Sequence, residues 1–174
     1  ENVFAKACAE CHGTYGTSPT YPQRMVAIDE IKTDRVRLDS LNVAARDAYG
    51  KSWFASIDKL DTLLEPEGYV APPLDGIWAS APYLHNGSIP TLWHLLNPDQ
   101  RPMVWKRTED GYDRDKVGLD VTTLESIPGE VKDVREARRY FDTRLRGKSA
   151  AGHDFPSQLR DEERRQVLEY LKTL

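Results

Sequence analysis

The pentapeptide Cys8-Ala9-Glu10-Cys11-His12 constrains this chain more than any other feature, because it sets two thiols on one helical turn with an imidazole directly after them. That spacing lets both thiols add to the two vinyl groups of a haem while the imidazole meets the iron. The rival readings need residues the chain lacks. A structural zinc site wants four ligands, and the sequence holds only 2 cysteines. A thioredoxin-like dithiol calls for an α/β pattern with parallel strands, which the hydrophobic spacing does not supply. A disulfide across two intervening residues is geometrically strained. One haem c, attached covalently through Cys8 and Cys11 with His12 on the iron, is the expectation carried forward.

The 174 residues, 39% hydrophobic and 30% charged, are enough for one compact domain with its own core. Residues 1–174 are therefore expected to form a single c-type cytochrome domain. The motif begins close to Glu1, so the domain is expected to be excised from a longer secreted protein. The net charge of -4 comes from 24 basic and 28 acidic residues interleaved along the chain, which argues against a nucleic-acid partner. Runs such as 135–139 and 161–165 read as solvated helix faces. No apolar run approaches bilayer-spanning length and no charged-then-apolar leader opens the chain, so no transmembrane segment is expected.

Local patterns predict a first helix over Val3 to Cys11 ending near Gly13, and short helices over 40–49 and 52–64. Thr91 is expected to cap a short helix that Asn97-Pro98 stops. The charged segment 101–121, with two glycines, reads as an inserted loop or hairpin. The last helix should start near Asp161, capped by it, with Val167, Leu168 and Leu171 as its apolar stripe.

Both ends of the chain resemble class I cytochromes c. Phe4, four residues before Cys8, stands where that family places an aromatic, and Asp161 to Lys172 is similar to the family's closing helix. The resemblance implies that the two helices cross, with Phe4 against Val167 and Tyr170. The glycine usually found four residues before the aromatic would fall before the start of this sequence. In the family a methionine before the last helix closes the iron's other face; in Gly152-His153-Asp154-Phe155 that position is His153. Bis-histidine ligation by His12 and His153, with a lowered reduction potential, is the resulting expectation. The alternative for His153 is a loop histidine with a surface hydrogen bond. Met103 is the next candidate ligand, and Met25 is expected in the core. The implied fold is mainly α: a cytochrome c-like helical fold around one haem with a long loop or small hairpin insertion.

Ala81 to Leu92 resembles a segment of bacterial dihaem cytochrome c peroxidases and of the haem domains of rubber-oxygenase-like proteins, and Tyr69 to Trp78 and Gly147 to Phe155 extend that likeness. Carried across, His85 would line the haem pocket without binding iron; its other reading is a turn histidine before Asn86-Gly87. His94 stands where those relatives often carry an acidic capping residue, and is expected to be structural and exposed. Pro22, with Pro19 as the alternative, is expected to offer the carbonyl that accepts the His12 N–H. The four tryptophans are expected in the core or the haem pocket.

The expected function is one-electron transfer with no substrate chemistry, periplasmic or secreted in a bacterium, with a redox protein as partner. Similar modules in secreted polysaccharide-degrading systems suggest a link to extracellular polymer oxidation by analogy. The alternative is a haem peroxidase or oxygenase-like enzyme with an open sixth position.

Overall fold

The computed structural model describes the chain except for residues 54, 56, 58–61 and 130 and the side chain of residue 110. The helix expected over 52–64 falls partly outside the described residues.

The chain opens with α1 (Asn2–Ala7) and α2 (Ala9–His12), which break at Cys8. Gly13 ends α2 at φ 80°, and a β-carbon there would sit 1.9 Å from the Thr20 carbonyl oxygen, so only glycine lets the chain turn beside that loop. At the other end, α8 (Asp161–Leu171) buries Val167, Leu168 and Leu171. Its N-cap is Arg160, not Asp161 as expected: the Arg160 N–H donates to the Glu163 carboxylate at 2.9 Å, and Asp161 becomes the first helical residue. Phe4 joins Val167 in one apolar cluster, as the resemblance implies. Each such buried side chain contributes about 1.5–3 kcal/mol.

Between these ends lie short elements. Strand β1 (Met25–Ala27) leads through α3 (Ile28–Ile31), α4 (Val36–Ser40) and α5 (Val43–Gly50) to β2 (Gly68–Val70), which pairs antiparallel with β1. Next, α6 (Leu92–Leu96) is capped by Thr91, whose hydroxyl accepts from the His94 N–H at 3.2 Å. The expected insertion is a long hairpin, β3 (Val104–Asp113) with β4 (Gly118–Leu124). After α7 (Val134–Ala137), β5 (Tyr140–Asp142) pairs with the other edge of β3. Trp105 is buried and stacks on Phe141 with ring centres 5.0 Å apart.

The turn of the hairpin closes on α6. Leu92 N–H donates to Val117 O at 2.8 Å and Trp93 N–H to Lys116 O at 3.0 Å, so the free donors of the helix start are met from the hairpin.

The fold is therefore mixed, 34% helix and 18% strand, and not mainly helical as expected. The β1–β2 ribbon and β5 are each three residues long, too short for alternation to register, and all are paired with distant segments. No helix among the described residues is long and apolar enough to cross a membrane.

Candidate haem site

His12 and His153 come from opposite ends of the chain, yet their ring centres lie 6.2 Å apart with planes inclined at 64°. His12 is carried by the last turn of α2. Its Nδ1–H donates to the Pro72 carbonyl at 2.9 Å, which fixes the tautomer and leaves Nε2 as the ring's lone-pair nitrogen. The expected acceptors, Pro22 and Pro19, are replaced by Pro72, which follows β2. A backbone carbonyl carries no side-chain signature, so residue type alone does not single out Pro72.

His153 stands on a loop held in left-handed geometry: Gly152 has φ 82° and His153 φ 52°, a conformation costly for a residue with a β-carbon. The loop is pressed against the end of α3. The His153 N–H donates to Ile31 O at 2.7 Å, and a β-carbon on Gly152 would lie 2.3 Å from the Thr33 nitrogen. The His153 Nδ1 is buried without a hydrogen-bond partner. Burial foremost, then the His12 and Arg101 charges, holds the His153 pKa at about 4. Burial also lowers the His12 pKa against the opposing pull of Pro72. Both rings are thus neutral near pH 7, the protonation state a metal ligand needs.

Cys8 and Cys11 are unbridged and partly buried. Burial foremost, then Cys11, pushes the Cys8 thiol up to about 11, and burial raises Cys11 as well. Neither is a low-pKa thiol of the kind that dithiol redox chemistry uses. Among the described residues no group of three or more His, Cys, Asp or Glu side chains gathers at a point, which a closed zinc site would require.

These residues fit a haem iron. An imidazole nitrogen about 1 Å from its ring centre and a metal–nitrogen bond of about 2 Å on each side span about the distance seen between the two rings. The orphaned Nδ1 marks one of those rings as lacking a partner. Beside the pair, Phe155, 37% exposed, lies 5.6 Å ring to ring from His153, while on β1 Met25 pairs with exposed Val70 of β2. Met25 is thus 40% exposed on β1, not in the core as expected.

The other candidates lie elsewhere. Met103 is 63% exposed and precedes β3. His85 stacks on Tyr69 at 4.3 Å, its Nε2 3.4 Å from the Tyr69 hydroxyl, and no contact between His85 and either imidazole of the pair is found among the described residues. The neighbouring Asn86 donates to Ser149 O at 2.9 Å. His94 is buried, not exposed: its Nδ1 lies 2.8 Å from the Thr91 hydroxyl. Among the tryptophans, Trp105 is in the core and Trp93 donates to Gln100, whereas Trp78 is exposed.

A residue the sequence reading passed over ties the loop down. The side chain of Arg101 is buried, 7% exposed, and donates to Ala150 O at 2.7 Å, Gly152 O at 2.8 Å and Asp154 Oδ1 at 3.2 Å.

The RoxA-like, cytochrome c-like family matches residues 68–106. This stretch is cytochrome c-like. It contains Pro72, His85 and Arg101, while the cysteine motif and His153 lie outside it. Uncharacterized protein y4iM of Sinorhizobium fredii is 34% identical over 179 residues, covering 88% of this chain and 40% of that protein. Uncharacterized protein y4iJ of the same organism is 39% identical over 119 residues, covering 63% of this chain and 18% of that protein. The chain spans less than half the length of these relatives.

Proposed function

We propose that this chain is a one-electron carrier holding a single haem c, tethered by Cys8 and Cys11 and held between His12 and His153. The observation that carries this reading is the 6.2 Å spacing of the two imidazoles, one of which belongs to a C-x-x-C-H motif. Haem bound there would supply reversible exchange of one electron between ferric and ferrous iron. His12 and His153 would occupy both axial positions, leaving none for peroxide or dioxygen, so the pair favours electron transfer over the enzyme alternative. Pro72, by accepting the His12 Nδ1–H, would hold the ring in one orientation and raise its donor strength. Two imidazoles in place of an imidazole and a thioether would set a low reduction potential.

The chain is proposed to act in the bacterial periplasm or outside the cell, passing electrons to or from another redox protein. A role in polysaccharide oxidation rests on the resemblance of the module alone.

The test is holoprotein from a host competent in cytochrome maturation. Its mass should exceed the polypeptide's by one haem, and Cys8→Ser with Cys11→Ser should abolish that increment. The ferric spectrum should be six-coordinate and low-spin, turning high-spin in His153→Ala. A colourless product of bare polypeptide mass would overturn the reading, and a high-spin parent with rapid peroxide turnover would favour the enzyme.

A further inference from the structure

The Arg101 guanidinium offers five N–H donors, and all of them are engaged. Besides Ala150, Gly152 and Asp154, it reaches the carbonyls of His94 at 3.2 Å, Leu95 at 3.3 Å and His153 itself at 3.4 Å. One planar cation therefore bridges the last turn of α6 to four residues of the 150–154 loop, Ala150, Gly152, His153 and Asp154. A buried guanidinium is costly unless its hydrogen bonds are met, and here the Asp154 carboxylate, 55% exposed, supplies the balancing charge.

Asn86 and Asp34 tether the chain at Ser149, just before the carbonyls that Arg101 gathers. Gly152 and His153 both have positive φ, so the segment lies outside regular hydrogen-bonded structure, and its backbone bond to α3 is His153 N–H to Ile31 O. A residue with a β-carbon at φ 52° gains by relaxing out of that conformation, so His153 stays where it is because its surroundings hold it.

We infer that Arg101 is the positioning residue for the sixth iron ligand: its fork holds the His153 loop in the geometry that keeps the imidazole across from His12. This rests on the proposed ligation by His12 and His153. A lysine at the same place keeps the charge but has three donors on a rotating ammonium, and cannot span both α6 and the loop. The competing explanation is that Arg101 only satisfies the end carbonyls of α6, in which case its loss weakens the fold and leaves the iron's coordination alone.

The experiment compares ferric holoprotein of the parent, Arg101→Lys, Asp154→Ala and His153→Ala by electron paramagnetic resonance and by the rate of cyanide binding. His153→Ala tests the ligation reading by itself: a spectrum like the parent's would sink that reading. With His153→Ala high-spin, folded Arg101→Lys should show a partly high-spin signal and bind cyanide at least tenfold faster than the parent. A folded Arg101→Lys with the parent's signal and cyanide rate, and only a lower denaturation midpoint, would overturn the positioning role. If Arg101→Lys gives no folded holoprotein, Asp154→Ala decides, since it removes a partly exposed partner of the fork. Cyanide binding at least twofold faster would support the role, and the parent's rate would overturn it.

Discussion

Phe4 meets Tyr170 with ring centres 5.0 Å apart and planes inclined at 53°, so an aromatic pair joins the first helix to the last. Tyr15 also meets the Phe4 ring, edge-on, with ring centres 6.0 Å apart. Phe4→Ala would remove the centre of this stack and leave a cavity, costing about 3–5 kcal/mol. Urea unfolding of the holoprotein measures it, and an unchanged midpoint would show that the helix pair does not depend on this ring.

His94 makes stability depend on pH. Burial foremost, then Lys116, lowers its folded pKa to about 4, with Arg101 acting in the same direction and Asp113 opposing. An unfolded histidine titrates near about 6.5. Between those values the unfolded chain binds a proton that the folded one refuses. The stabilisation is therefore complete above about pH 6.5 and drains away as the pH falls towards 4, by about 3 kcal/mol over the window. His94→Gln should flatten this slope. Equal losses for parent and variant between neutral and mildly acidic pH would show that His94 is not the group responsible.

Gly152→Ala would force a β-carbon into the Thr33 backbone at a φ that alanine disfavours. The expected cost is about 2 kcal/mol or more. Because the next residue is His153, the folded variant should also show a mixed-spin ferric spectrum. A variant as stable as the parent with an unaltered spectrum would mean that the close approach to α3 does not set the loop's place.

What the sequence disclosed and what it hid divide along physical lines. The Phe4, Val167 and Tyr170 contact and the Thr91 cap were legible because each depends on side chains at fixed spacing. So was the hairpin in 101–121, where charge and glycine mark a break from helix. The mixed character of the fold was not legible: β1, β2 and β5 owe their existence to partners far along the chain, and three residues leave no period to detect. Pro72 acts through its carbonyl and Arg101 through the carbonyls it gathers, and such roles leave no mark in residue type. The expectation for His94 failed because the position favours exposure in an isolated helix, whereas here the Val117 turn lies over the helix start.

The same arrangement at α6 bears on how the domain comes apart. Five residues cannot sustain a helix in water by themselves. This one has its leading donors met by Val117 and Lys116 and its trailing carbonyls met by Arg101. Opening it means releasing the hairpin turn at one end and the Arg101 fork at the other, so the amides of Leu95 and Leu96 should exchange with solvent only when the whole domain unfolds, and as slowly as the most protected amides of α8.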